Sequence, residues 1–285
     1  DSLSTWDQAL GKSPEVVDIM LVLKKKYNEM RELLKYKARA TSRGDLGNAV
    51  DRKFQRTPAE TFAPTVRHVT FKTICAAGVA RACSTGRSMR FQSGDVPVAF
   101  LRGKQSTEHS RYLRPPPGYR SVDRRGVPIV WKLTGNLYGE ASAPRVWHET
   151  ALAFALLPES DGGMGLTQSD ADPCYLYKVY PDGSRLDVGL YVDDLWLADD
   201  AGSLADADIG KLVSKFDLKL DVNPKQFLNI NIDIQSPTRI KLSMEAYLLE
   251  MADRYVPDWK KWDTLAVPCT DRLLDEYKRA QERQE

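Results

Sequence analysis

Asp193 and Asp194 stand side by side after Tyr191-Val192, between two runs that read as strands, Arg185 to Tyr191 and Leu195 to Ala198. Two ionised carboxylates repel each other, and a cation between apolar strands offsets that repulsion. Hard divalent ions such as Mg²⁺ are held by one or two protein carboxylates, with substrate phosphates completing the shell. The pair therefore points to metal-assisted chemistry on phosphates. A solvated turn is the alternative, because Asp-Asp is common in β-turns.

The pair must be held at the tip of a hairpin. Cys174 to Tyr180 and Arg185 to Tyr191 have strand character and are joined by Pro181-Asp182-Gly183, and the Leu195 run follows the carboxylates directly. A further strand is expected over Gly94 to Leu101, where Asp95 interrupts an apolar run, and one buried acid invites a partner or a metal.

Upstream, residues 16 to 34 carry Val16, Val17, Ile19, Met20, Val22, Leu23, Tyr27, Met30, Leu33 and Leu34 in a pattern closer to helix than to strand. From Tyr36 to Glu60 the chain turns polar and basic and reads as loop. Pro64 opens a helix to about Ser84, with Val66, Val69, Thr73, Ile74 and Ala77 along one face and Gly86 after its end. A strand around Val127 to Leu133 and a helix around Ala143 to Leu157 precede the hairpin. Ser203 with Asp206 starts another helix, Leu228 to Gln235 alternate as a half-exposed strand, and Ser243 caps a last helix. This order gives an α+β domain whose antiparallel sheet is covered by helices on one face and could bring Asp95 beside Asp193 and Asp194.

Composition bounds the partners. The 285 residues are 42% apolar, enough for a sizeable core. Cys75, Cys83, Cys174 and Cys269 show no paired C-x-x-C spacing, which argues against zinc and against a disulfide framework. No basic, apolar leader opens the sequence, and no apolar run nears the roughly 18 residues of a membrane span, so an intracellular, cytoplasmic or nuclear protein that is not secreted is expected. A net charge of +2 hides a split. Residues 21 to 125 carry 23 Lys and Arg against 8 Asp and Glu, leaving 18 against 31 in the rest. A basic half joined to a carboxylate-rich half suits an enzyme that grips a polyanion and holds metal ions.

The chain resembles the reverse transcriptase of copia-type LTR retrotransposons through ordered blocks over roughly residues 36 to 268. These are Tyr36-Lys-Ala-Arg with Arg43-Gly44, Glu60-Thr-Phe-Ala-Pro64, Asp95-Val with Ala99-Phe-Leu101 and Gly103, and Pro117-Gly-Tyr119. Leu137-Tyr-Gly139 with Ala143-Pro-Arg145 and Trp147, Asp170 with Asp172-Pro-Cys174, Tyr191-Val-Asp-Asp194, and Phe227-Leu228 with Ile230 complete the series.

The resemblance implies a right-hand polymerase with fingers and palm: a helical extension over 1–35, a fingers-like region over 36–90, a palm over 91–265 with a fingers insertion near 103–150, and the start of a thumb or tail over 266–285. It implies that Asp95, Asp193 and Asp194, with the backbone carbonyl of Val96, hold two Mg²⁺ ions, with Mn²⁺ as a substitute, for in-line nucleotidyl transfer from a dNTP to a primer 3′-hydroxyl. Lys37, Arg39 and Arg43 would meet the triphosphate, Phe100 would exclude a 2′-hydroxyl, and Tyr138 and Gly139 would flank the nascent base pair. Arg145 and Tyr191 would contact nucleic acid. The implied partners are an RNA template, a DNA primer, dNTPs and the remaining polyprotein parts, thumb and RNase H, with no membrane. Pro97-Val98 after Asp95-Val96, and Asn229 in place of a glycine, depart from the family pattern and leave open a domesticated copy that binds nucleic acid without catalysis.

Overall fold

The basic N-terminal stretch is a β-hairpin, which overturns the helical extension expected over 1–35. In the computed structural model, which describes residues 3–5, 15–27, 33–42, 61–103, 111–256 and 258–261, strand β1 is Leu3–Thr5, β2 is Glu15–Tyr27 and β3 is Leu33–Ser42. β2 and β3 pair antiparallel from Ile19 opposite Ser42 to Tyr27 opposite Leu33, with an irregularity between Lys26 and Tyr27. Val16, Val17, Ile19 and Val22 are β-branched and suit a pleated strand, but a nearly continuous apolar run fits either period, and pairing with β3 decides between them. Tyr36 to Ser42 are strand for the same reason. Arg43 and residues 266–285 lie outside the described residues.

Helix α1, His68–Thr85, stops at Gly86, whose φ of 70° suits glycine and whose amide donates to the Ala82 carbonyl at 3.0 Å. It starts later than Pro64, because its N-terminus is held from far along the chain. The Asp172 carboxylate accepts from the Arg67 amide at 3.1 Å and from the Thr70 hydroxyl at 2.5 Å. Its buried side is Phe71, Ile74, Cys75, Gly78 and Ala82, a different stripe from the one expected, and Val69 is exposed.

β4, Arg90–Asp95, ends at the acid instead of continuing to Leu101. Val98 adopts φ 51°, and a short helix α2, Ala99–Arg102, follows. Pro97 therefore lies past the ladder and removes no strand hydrogen bond. Strands β5 (Arg111–Arg114) and β6 (Ile129–Lys132) lead to α3 (Ala143–Leu156). Then come β7 (Thr167–Gln168), β8 (Tyr175–Val179), β9 (Arg185–Tyr191), β10 (Asp194–Asp199) and α4 (Ser203–Phe216). Strands β11 (Lys219–Asp221), β12 (Gln226–Phe227), β13 (Ile230–Ser236) and β14 (Arg239–Ser243) precede α5 (Glu245–Tyr255). The architecture is α+β.

The strands form a mixed sheet in the order β1-β6-β5-β2-β3, an antiparallel one in the order β11-β4-β10-β9-β8-β7, and a small sheet β12-β13-β14. Helices cover both faces of the second sheet, not one. Val188, Leu190, Leu195 and Leu197 share one face and pack with Trp147 and Ala151 of α3 and Leu212 and Phe216 of α4. Trp196 and Gly189 share the other, where the Phe71 ring of α1 meets Trp196 edge-on at 4.9 Å. Alternating residues that are apolar on both sides of a strand require a cover on both sides.

The chain divides into two units, Asp1–Leu228 with Ile232–Lys241, and Asn229–Asn231 with Leu242–Glu285. The first holds every described candidate residue. In the second, Ser243 accepts the Glu245 amide at 3.1 Å, the expected start of the last helix. No described helix is long and apolar enough to cross a membrane.

Buried charges fasten α4 to the antiparallel sheet. Asp208, 2% exposed, accepts from Lys178 at 2.7 Å, Lys211 at 2.7 Å and the Tyr180 hydroxyl at 2.9 Å. Burial pushes this carboxyl up, but the three donors outweigh it and hold the group below its usual range. A carboxyl depressed in the folded state stabilises above its unfolded pKa and loses that contribution as pH falls through the folded value. Asp208→Asn is expected to lower unfolding free energy at pH 7 by about 2 kcal/mol, with the deficit shrinking in acid below the ordinary Asp pKa. Urea titrations of both proteins at pH 7 and in acid check it.

Candidate active site

The three acids sit at the ends of neighbouring strands. Asp194 opens β10 opposite Asp95 at the end of β4 and opposite Tyr191 at the end of β9. Directly opposed residues point to the same face, so Asp95, Asp194 and Tyr191 form one row. Val192 and Asp193 make the two-residue turn between β9 and β10, one residue before the Asp193-Asp194 tip that the sequence indicated, because Asp194 already pairs with Tyr191. Asp95 is exposed, not the buried acid expected from its apolar neighbours, because the strand ends there and its side chain meets solvent.

The turn is pinned twice. The Val96 amide donates to the Asp193 carbonyl at 2.8 Å, and the Trp147 indole N–H donates to the Val192 carbonyl at 2.5 Å. Val192 has φ 53°, a left-handed conformation that a β-branched residue adopts only under constraint. Val96 itself is buried in the core.

The electrostatics ask for a cation. Burial, and after it the Asp193 and Asp95 carboxylates, raise the Asp194 carboxyl to about 6. Among the described residues no group of three His, Cys, Asp or Glu side chains is drawn into a ready cluster. The fit to divalent metal rests on the donor set, the half-buried Asp193 and Asp194 with the exposed Asp95 opposite Asp194.

A second group meets beside these acids. The Tyr138 ring lies 4.9 Å from that of Phe100 on α2, and the Arg39 guanidinium of β3 lies over it at 5.2 Å. Burial pushes the Tyr138 phenol up, as do Asp193 and Asp95, while Arg39 opposes them, which places Tyr138 within electrostatic reach of the acids. Lys37, half-buried on β3, is opposite Lys24. Thus Arg39, Phe100 and Tyr138 come together next to Asp95 and Asp193, and Lys37 shares the β3 face that carries Arg39. Arg145 on α3 pairs with Glu149 at 2.7 Å.

Gly139 permits a close backbone approach, made by the chain itself. The Ser42 amide donates to the Tyr138 carbonyl at 2.7 Å, and a Cβ on Gly139 would lie 2.3 Å from the Ser42 oxygen at a φ of +88°. Gly139→Ala is expected to destabilise the fold by about 2 kcal/mol through the left-handed strain alone and to push β3 from Tyr138. Denaturant unfolding and protease sensitivity of β3 test it.

The model of the family "Reverse transcriptase (RNA-dependent DNA polymerase)" matches residues 5–258. The chain belongs to this family. Its members are nucleotidyltransferases that copy RNA into DNA. This reverse transcriptase chain is 28% identical over 257 residues to the retrovirus-related Pol polyprotein from transposon RE1 of Arabidopsis thaliana, covering 88% of the chain and 16% of that protein. It is 28% identical over 266 residues to the Pol polyprotein from transposon TNT 1-94 of Nicotiana tabacum, covering 92% of the chain and 18% of the relative. It is 30% identical over 162 residues to a putative Ty5-1 transposon protein of Saccharomyces cerevisiae, covering 55% of the chain and 48% of that protein. The reverse transcriptase chain thus spans less than half of each of these relatives. Telomerase from Candida albicans, at 10% identity, covers 85% of this chain and 47% of its own with a TM-score of 0.43.

Sequence reasoning missed the Trp147 bond to the turn and the strand register that brings Lys219 opposite Asp95. The alternation Leu218-Lys219-Leu220-Asp221 is the signal that could have marked β11. Asn229, in place of the family's glycine, has φ 62°, a left-handed conformation that asparagine tolerates, so the local backbone accepts the substitution.

Proposed function

We propose that the chain is the fingers and palm of a retrotransposon reverse transcriptase, adding dNTPs to a primer 3′ end on an RNA template. The observation that carries this reading is the row Asp95–Asp194 beside the Asp193 turn, with Arg39, Phe100 and Tyr138 gathered next to it. Asp95, Asp193 and Asp194, with the Val96 carbonyl, would hold two Mg²⁺ ions. When bound, these would lower the pKa of the primer 3′-hydroxyl and neutralise the incoming triphosphate.

The protein's own groups position the reactants. Arg39 and Lys37 supply charge-assisted donors for triphosphate oxygens, with Arg43 a further candidate from the same basic stretch. Phe100 packs at a tilt against the Tyr138 ring and offers an apolar wall where a 2′-hydroxyl would find no partner. Tyr191, at the end of the acid row, and Arg145 would meet the nucleic acid. Thumb and RNase H functions belong to the rest of such a polyprotein.

The test is extension of a labelled DNA primer on an RNA template with dNTPs and Mg²⁺. Template-directed extension is expected. Tight template–primer binding without extension in Mg²⁺ or Mn²⁺ would overturn the catalytic reading in favour of a domesticated binding module.

A further inference from the structure

Helix α2 is one turn long, and a single turn does not hold itself: fixing it costs more than its few hydrogen bonds return. The residue before it, Val98, adopts φ 51°, a conformation that strains a β-branched side chain. Yet α2 carries Phe100, whose ring packs 4.9 Å from that of Tyr138. Its backbone bonds run from the Leu101 amide to the Val98 carbonyl at 2.9 Å and from the Gly103 amide to the Phe100 carbonyl at 3.3 Å. The last residue of the turn, Arg102, supplies the rest. Its Nε donates to the Pro97 carbonyl at 3.1 Å, and its Nη2 donates to the Asp217 carboxylate at 2.5 Å. Asp217 is a firm anchor although its carboxylate is exposed, because it follows the end of α4 between Phe216 and Leu218, both buried in the main core. Phe216 meets Trp147 edge-on at 5.1 Å, and Leu218 lies so close to β4 that a Cβ on Gly94 would be 2.7 Å from its Cδ1. Arg102 thus ties a weak turn to a fixed point of the backbone.

We propose that Arg102 and Asp217 are positioning residues that hold Phe100 against Tyr138 and so set the choice between nucleoside triphosphates with and without a 2′-hydroxyl, an assignment that rests on the polymerase reading. A wall excludes a hydroxyl only while it cannot retreat, and a displacement of Phe100 by the width of one oxygen atom would admit it. The planar guanidinium suits this task, since its fixed fork reaches a carbonyl and a carboxylate at once and holds the stem between them. Nε and Nη2 are both engaged within the protein, so Arg102 acts through Phe100 and not on the substrate. Its loss should appear in selectivity before it appears in rate.

The experiment compares the parent chain with Arg102→Met, Asp217→Gly, the double variant of these two, and Phe100→Ala with and without Asp217→Gly. Each is assayed for urea unfolding and for single-nucleotide extension with a dNTP and with the matching rNTP. Asp217 has φ 51°, so glycine removes the carboxylate while suiting the backbone, and Asp217→Gly should unfold no earlier than the parent. The ratio of kcat/KM for dNTP over rNTP should fall by about fivefold in Asp217→Gly, the upper end for a partly exposed ion pair, and at least as far in Arg102→Met, with kcat for dNTP within twofold of the parent. The double variant should match Arg102→Met, because the two residues act as one unit. Phe100→Ala should lower the ratio further, and adding Asp217→Gly to it should change nothing more. A ratio within twofold of the parent in both single variants overturns the role of the pair and leaves the polymerase reading standing. An equal loss for dNTP and rNTP in Arg102→Met, absent from Asp217→Gly, would mean that Arg102 meets the triphosphate directly, and overturns it too. A parental ratio in Phe100→Ala removes the wall and the pair's role with it. A parent that extends no primer overturns the polymerase reading and this assignment together.

Discussion

An Asp193→Asn, Asp194→Asn double variant is expected to lose primer extension by at least about a thousandfold, roughly 4 kcal/mol of transition-state stabilisation. Asparagine keeps the size of each side chain but gives a divalent ion no charge, so the loss falls on metal binding and on the step the metal assists. The fold itself should gain. Without metal, Asp194 is half-buried next to Asp193 and across from Asp95, an arrangement that raises its carboxyl to about 6. A carboxyl raised in the folded state destabilises that state at neutral pH, so neutralising it removes an unfavourable term. In EDTA the variant should therefore unfold at a urea concentration no lower than the parent's, while Mg²⁺ should stabilise the parent and not the variant. Extension retained within tenfold would sink the assignment of these two acids. A variant that unfolds well before the parent would show that the turn needs its charges for structure.

The second large effect is expected at Trp147. This residue is 1% exposed, packs edge-on against Phe216 at 5.1 Å and donates its indole N–H to the Val192 carbonyl. Trp147→Ala removes a large buried ring and should destabilise the chain by about 3 to 5 kcal/mol. Trp147→Phe is the sharper test, because it keeps most of the apolar contact and deletes only the donor. Leaving the Val192 carbonyl without its partner should cost about 1 to 3 kcal/mol and free a turn already strained at Val192. Because that turn carries Asp193, kcat should fall by about tenfold while KM for dNTP stays within twofold, since the Arg39–Tyr138 group is untouched. A fall in kcat much larger in Trp147→Ala than in Trp147→Phe would mean that packing, not the hydrogen bond, holds the turn. An unchanged kcat in Trp147→Phe would mean that the indole does not position the acids.

The sequence by itself determined the local elements whose signals lie within a few residues. The strand Arg185 to Tyr191, a turn at the Asp193-Asp194 pair and the helix near 143–157 follow from alternation, turn residues and apolar spacing, and the structure places them within a residue or two. The end of α1 at Gly86 was legible for the same reason, since only a glycine was needed to stop it. The start of that helix was not, because its cap is Asp172, 105 residues from the Arg67 amide it receives. The hairpin of β2 and β3 escaped because a continuous apolar run fits helix and strand alike, and only pairing between Ile19 and Ser42 onward settles it. Asp95 read as buried because its neighbours are apolar, whereas the strand ends on it and leaves it in solvent. Helices on both sheet faces, the Trp147 bond to Val192 and the alignment of Lys219 with Asp95 were decided by tertiary structure alone. Each depends on register and packing between segments tens of residues apart, and a one-residue slip in any of those strands would turn the same side chains to the opposite face.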